Sequence, residues 1–408
     1  MNNLPFEIRR PLQVYHARPH LRDETDPNLM GRSGWQAVDR PLGFWDMPIT
    51  NPYEDLPPTA FWRSAVGQRE PQEIASLWAA KFPIARHDPI ITAGSCFAQH
   101  LGRALQRAGY AWHDAEPVPL YLSEGVARNY GYGIFSFRTG NIYTVALLRQ
   151  WIGWALGTAR PSSEIWADDE RFYDPFRPNV EPRGFASEEE LLAAREWTLK
   201  AIRDSLASAS LFVFTLGLTE AWRSRIDGMV YPVCPGTLAG AFDPDKHKFC
   251  NFRYDQIRHD LESAMELIHS VNPKLRFLLT VSPVPLTATA SSQHVLVATT
   301  QSKSTLRAVA GDVAAERRDT DYFPSYEIIS SFPFKAVFYE PNLRTVTREG
   351  VEFVMRSFFA GLPNADVAEN ATEPARVAEP PSPSGPSAAG DTIVCEELLL
   401  EAFTKFSG

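Results

Sequence analysis

The sequence predicts an α/β protein, a three-layer sandwich whose mainly parallel sheet is flanked by helices, and three observations carry that expectation. Short apolar runs at Pro89-Ile90-Ile91-Thr92-Ala93, Leu211 to Leu216 and Leu275 to Val281 have the length and continuity of strands buried on both faces. Apolar residues at helical spacing fill the intervals between them. Each run also stops abruptly, at Gly94, Gly217 or Ser282-Pro283. Strands alternating with helices in this way form parallel sheets covered on both sides, and such sheets bind ligands beyond the carboxyl ends of their strands.

Taken in order, residues 1–50 are rich in Pro, Arg and Asp without a sustained period and are expected to form an extension to a domain spanning 51–361. Pro52 to Phe82 carries Phe61, Trp62 and Trp78, the composition of a segment docked on a core. After the first strand, Phe97, Leu101, Ala104, Leu105 and Ala108 stripe a helix that Gly109 stops. Ser187 and Glu190 make a capping box for a helix reaching about Leu206. Ile257, Leu261, Ala264, Met265 and Ile268 stripe the next helix, which ends at Asn272-Pro273. A helix from about Ser304 to Glu316 and a fourth strand over Tyr322 to Ile329, with an irregular start at Pro324, complete the alternation. Thr347 caps the last core helix, striped by Val351, Val354, Met355, Phe358 and Phe359. From 362 to 390 the composition turns to Pro, Ala, Ser and Glu, which favours a disordered linker. Val394, Leu398 and Phe403 then suggest a short helix within 391–408.

Composition excludes several functions. At 408 residues and 44% apolar, the chain buries a full core. A net charge of -9 without clustered Lys and Arg opposes nucleic acid, whose binding needs cations to displace counterions. No apolar run approaches the roughly 20 residues of a bilayer span, and the amino terminus lacks the apolar core of a secretion signal. The expectation is a cytoplasmic protein with no membrane partner. Cys96, Cys234, Cys250 and Cys395 lie far apart in sequence and read as reduced thiols. No Cys or His cluster has metal-ligand spacing, and Gly131-Tyr132-Gly133 lacks a third glycine or a phosphate-binding lysine, so neither a metal nor a cofactor is expected. Sequence is silent on protein partners.

The chemistry concentrates at Ala93-Gly94-Ser95-Cys96-Phe97-Ala98, where a buried strand meets a helix. Side chains there face helix-terminal N–H groups, which stabilise anions and lower thiol pKa values. Ser95 or Cys96 is thus a candidate nucleophile, and the competing reading has Ser95 capping the helix while Cys96 packs as a small hydrophobe.

The pentapeptide Gly94-Ser95-Cys96-Phe97-Ala98 after a buried strand resembles the signature of the GSCFA family, itself similar to the SGNH or GDSL-type hydrolases. The resemblance runs from about Asn51 to Gly361. It implies an SGNH-like hydrolase, an esterase or acyltransferase, whose substrate is an ester on a small molecule or carbohydrate. Setting the hydrolases' Gly-Asp-Ser turn on this chain places Cys96 over the nucleophile; a shift of one residue places Ser95 there. The fold's oxyanion hole implies donors in Asn129-Tyr130-Gly131-Tyr132-Gly133, with Asn129 and Gly131 foremost, and in Gly217-Leu218-Thr219-Glu220, with Gly217 and Thr219. Thr219 offers a hydroxyl where the hydrolases have an asparagine amide, and Glu220 is placed to orient a base or substrate.

The hydrolases' Asp-x-x-His base is missing. Glu340-Pro341-Asn342-Leu343-Arg344-Thr345 stands in its place, a lack that harms a serine mechanism more than a thiol one. His294, His247, His113, His100 and Lys303 are substitutes without diagnostic spacing, and Ser282, Tyr326 and Glu327 are candidate pocket contacts. Without a base the same pocket makes a non-catalytic ligand- or glycan-binding module, and a scaffold using the linker and last helix is a third reading.

Overall fold

The computed structural model describes residues 51–363 and 395–403, so the expectations for the 1–50 extension and for nearly all of the 362–390 linker lie outside the described residues. Contact clustering divides the chain at Asp55. Before that point, Asn51 closes a turn, its carbonyl accepting from the Glu54 N–H at 2.9 Å.

From Leu56 the chain makes single helical turns and then enters β1 (Ile90–Gly94), α1 (Ala98–Arg107), α2 (Glu124–Asn129) and α3 (Val145–Ala155). A short hairpin, β2 (Trp166–Asp168) and β3 (Arg171–Tyr173), leads to α4 (Glu188–Ser208) and β4 (Leu211–Leu216). Next come β5 (Glu220–Ser224), β6 (Val230–Tyr231), β7 (His247–Asn251), α5 (Tyr254–Val271) and β8 (Arg276–Val281). The domain ends with α6 (Val295–Glu316), β9 (Thr320–Phe323), α7 (Ser325–Ser330) and α8 (Arg348–Gly361).

The four-stranded main sheet has the order β1-β4-β8-β9 and is parallel throughout. Alternation along each strand decides what covers it. Phe212, Phe214 and Leu216 of β4 join Phe277, Leu279 and Val281 of β8 on the face packed by α3, α4, α5 and α6. Leu211, Val213 and Leu278 point the other way, toward α1, α7 and α8. The three-layer α/β expectation therefore holds, with the core split between two apolar layers. A second, antiparallel sheet of order β6-β5-β7 hangs from the carboxyl end of β4.

Local signals place most boundaries. Thr144, Ser187 and Thr347 cap α3, α4 and α8, accepting from the N–H groups of Leu147, Glu190 and Gly350 at 3.3, 3.2 and 3.0 Å. Two expectations need correction. The fourth strand stops at Phe323, because Pro324 cannot donate to the ladder and the Ser325 hydroxyl turns back to the Val281 carbonyl at 2.9 Å; residues 325–330 form α7 instead. Helix α6 begins at Val295, not near Ser304, because His294 caps it through Nδ1, which accepts from the Leu296 N–H at 3.2 Å. The short carboxyl-terminal helix, Glu396–Phe403, is of the 3-10 type.

One buried polar cluster joins α4 to the loop after β3. Asp174 accepts from Arg177 Nε and Arg195 Nη2, each at 2.9 Å, with all three side chains at most 2% exposed. Burial pushes the Asp174 carboxyl up, but the two guanidiniums outweigh it and hold the group below its ordinary value. Arg177 also donates to Thr198 at 2.6 Å, whose hydroxyl donates to Glu116 at 2.8 Å. No helix among the described residues is long and apolar enough to cross a membrane.

Candidate active site at the end of the first strand

Register brings the ends of β1, β4 and β8 to one edge: Gly94 pairs with Thr215, and Leu216 with Val281. The next residues, Ser95, Gly217 and Ser282, therefore sit side by side where a doubly covered sheet binds its ligands. Gly94 has φ +136°, and a Cβ there would lie 2.4 Å from the Thr215 carbonyl oxygen, so only glycine lets β1 approach β4 and turn at once. Gly94→Ala is expected to cost about 2–3 kcal/mol, read as a lowered urea midpoint with unchanged slope.

The segment Asn141-Ile142-Tyr143 is threaded between the two turns. The Ile142 N–H donates to the Gly94 carbonyl at 2.8 Å, and the Tyr143 carbonyl accepts from the Gly217 and Leu218 N–H groups at 3.1 and 2.8 Å. A Cβ on Gly217 would press to 2.9 Å from both the Ser95 Cβ and that carbonyl oxygen, which explains glycine at this position. Lys303, 1% exposed, donates through Nζ to the Gly217 carbonyl at 2.7 Å. It is a buried brace of the turn.

The two sulfurs are the chemical centre. Cys96 is 4% exposed, and its thiol hydrogen-bonds Cys395, which the carboxyl-terminal segment returns to the turn. The Tyr143 hydroxyl points at Cys395 Sγ from 3.7 Å and Arg344 Nη2 from 4.0 Å. The hydrogen bond from Cys96 is the largest influence on the Cys395 thiol; with the Arg344 charge and the Tyr143 hydroxyl it overcomes burial and brings the thiol down to about 5 from its ordinary 9.0. These neighbours favour the thiolate form of Cys395. Arg344→Gln is expected to raise the ionisation midpoint of Cys395 toward that of a free thiol, measured as the pH dependence of its alkylation rate.

Arg344 arrives on the Glu340 to Thr345 segment. The Asn342 side chain accepts from the Arg344 and Thr345 N–H groups at 3.0 and 2.9 Å and donates to the Thr345 hydroxyl at 2.9 Å, tying a tight turn with Leu343 at φ +52°. In place of a base, this turn presents a cation to a sulfur.

The remaining sequence candidates divide. Ser95 is 2% exposed, and its hydroxyl has no hydrogen-bond partner among the described residues. The first N–H groups of α1, those of Ala98, Gln99 and His100, donate to the carbonyls of Ser95, Cys96 and Phe97, so the helix contributes its dipole to the turn while these donors are spent locally. The Thr219 hydroxyl donates to Asn251 at 2.7 Å. Glu220 accepts from the Thr289 hydroxyl at 2.8 Å, and burial raises its pKa. Asn129 is exposed at the end of α2, Gly131 and Gly133 are turn glycines at φ +75° and +63°, and His294 is an exposed helix cap. His247 is a buried ring whose Nδ1 accepts from the Asp243 N–H at 3.0 Å. His113 and His100 are half-buried, with the His100 ring against Phe97. Ser282 is buried and accepts from the Val284 N–H at 3.3 Å, and Glu327 pairs with Arg307 and accepts from the Tyr322 hydroxyl at 2.8 Å. Tyr326 is half-buried beside it, and burial raises its phenol pKa. A cleft of about 810 Å³ elsewhere, lined by α3, α5 and the β5–β6 turn, contains none of the turn residues.

A model of the GSCFA family matches residues 89–358, from the first main strand to the last core helix. The chain belongs to the GSCFA family. No curated protein matches it significantly in sequence. In this GSCFA chain Asn141, Tyr143, Arg344 and Cys395 are site residues that the sequence reading missed. Asn141 is 1% exposed, its side-chain oxygen accepts from Gln99 at 3.4 Å, and the next residue, Ile142, donates its N–H to the Gly94 carbonyl. The signal for it was present, as an asparagine shortly before the Thr144 helix cap; Cys395 had none, because it lies beyond the family match.

Proposed function

We propose that the chain is a thiol-dependent acyl-transfer enzyme, SGNH-like in layout, that takes an acyl group such as acetyl from an ester on a carbohydrate or small molecule and passes it to water or another hydroxyl. The observation that carries this reading is the hydrogen-bonded pair of Cys96, at the end of β1, and Cys395, whose sulfur also meets a guanidinium and a phenol. A thiol needs a proton acceptor to attack, and the ionised Cys395 sulfur is hydrogen-bonded to it.

In the proposed cycle the Cys96 proton passes to Cys395 as the Cys96 sulfur bonds to the ester carbonyl carbon. The tetrahedral intermediate collapses, the carbon–oxygen bond breaks, and the leaving alkoxide takes the proton back from Cys395. Water or an acceptor hydroxyl then attacks the thioester, giving its proton to Cys395, and Cys96 leaves as the thiol once that proton returns. The Arg344 charge beside Cys395 compensates the anion through each step. A serine mechanism has less support, since the Ser95 hydroxyl has no partner to take its proton among the described residues.

The low exposure of Ser95 and Cys96, 2% and 4%, favours a second reading, a module that binds a glycan or acylated ligand without turning it over. A nitrophenyl acetate assay of the reduced full-length chain separates the two. Multiple turnovers with a burst equal to the enzyme concentration support the enzyme; saturable binding of an acylated sugar with no nitrophenol release supports the module and overturns the enzyme.

A further inference from the structure

The geometry points to a modification site: Cys96 and Cys395 form a reversible disulfide that locks the carboxyl-terminal segment onto the turn when the protein meets a peroxide. All four cysteines are free thiols in the structure, and these two are hydrogen-bonded to each other although Cys395 lies beyond the whole α/β domain. Cys395 is partly exposed, within reach of a small oxidant, whereas Cys96 lies buried beneath it. Arg344 and the Tyr143 hydroxyl flank the outer sulfur, one a cation for the anions that form and the other a proton donor. Cys395 is ionised at neutral pH, while burial pushes the Cys234 thiol up to about 11 and leaves it unreactive.

The chemistry balances with a hydroperoxide as oxidant. The Cys395 thiolate gives an electron pair to the near peroxide oxygen, a sulfur–oxygen bond forms, the oxygen–oxygen bond breaks, and the departing oxide is protonated to water or an alcohol. Cys96 sulfur then attacks the sulfenic acid, the sulfur–sulfur bond forms, the sulfur–oxygen bond breaks, and hydroxide leaves as water with the Cys96 proton. Two thiols lose two electrons and two protons, and the peroxide takes up both. A dithiol reductant reverses the step by exchange. The inference stands on the two sulfurs and their neighbours, not on ester chemistry, so its test does not read turnover.

The reduced full-length chain, exposed to equimolar hydrogen peroxide, blocked with N-ethylmaleimide and digested without reductant, should give one crosslinked peptide pair containing Cys96 and Cys395. The intact mass should fall by two hydrogens, and dithiothreitol should restore both thiols. Cys96→Ser should leave a sulfenic acid on Cys395 that dimedone labels, and Cys395→Ser should leave Cys96 unoxidised under the same exposure. Oxidation spread over Cys234 and Cys250, a dimedone adduct on Cys96 in preference to Cys395, or no crosslinked pair would each overturn the inference.

Discussion

Cys96→Ala is expected to lower ester turnover at least about 10³-fold, because it removes the attacking atom and the neighbouring Ser95 hydroxyl has no hydrogen-bond partner among the described residues. Ser95→Ala should retain most activity, which distinguishes the two residues of the turn. Cys395→Ser keeps the attacking sulfur but loses the acceptor, and a fall of about 10²–10⁴ is the range for one general base. The pH profile carries the same information. The reaction needs the pair with one proton removed, so the rate should fall as pH drops through about 5, the point at which Cys395 takes up its proton. In Arg344→Gln that limb should move toward higher pH, since the cation that favours the thiolate is gone. A wild-type limb near neutrality, unmoved by this substitution, would place the ionising group elsewhere.

Asp174→Ala is expected to destabilise the fold by about 3–5 kcal/mol, because two guanidiniums would stay buried without a counter-charge. The carboxylate bridges α4 to the loop after β3 and anchors the chain of hydrogen bonds through Arg177 and Thr198 to Glu116. Its folded pKa lies below the ordinary carboxylate value, so the stabilisation is present above that value and is lost as pH falls through the folded one. Urea denaturation from neutral to strongly acid pH should therefore show the wild type losing stability in acid while Asp174→Ala loses less. An equal acid dependence in both proteins would mean that other carboxylates dominate.

Periodicity made the architecture legible. The runs at Ile90, Leu211 and Arg276 are so apolar that no other placement satisfies them, and the order of the three strands follows from the helices between them. The errors fell where one side chain overrides a pattern. Pro324 cut a strand short, and the His294 ring nitrogen started α6 well ahead of the expected start near Ser304. At the site, glycines and the Gly94-Ser95-Cys96 turn could be read because backbone constraint leaves a local mark. The partners of the turn could not: Arg344 is a loop arginine held by an asparagine hydrogen-bond pattern, and Cys395 comes from a stretch with no periodic link to the domain. Thr219 and Glu220 stood in the right block, but their polar atoms are engaged by Asn251 and Thr289.

The return of Cys395 to the end of the first strand also fixes when the sulfur pair forms. A ribosome completes every strand of the main sheet, and α8 after them, before it adds this cysteine, and domains can fold as their sequence emerges. A nascent chain thus owns the Cys96 turn and the Arg344 loop before it has the sulfur that meets them both.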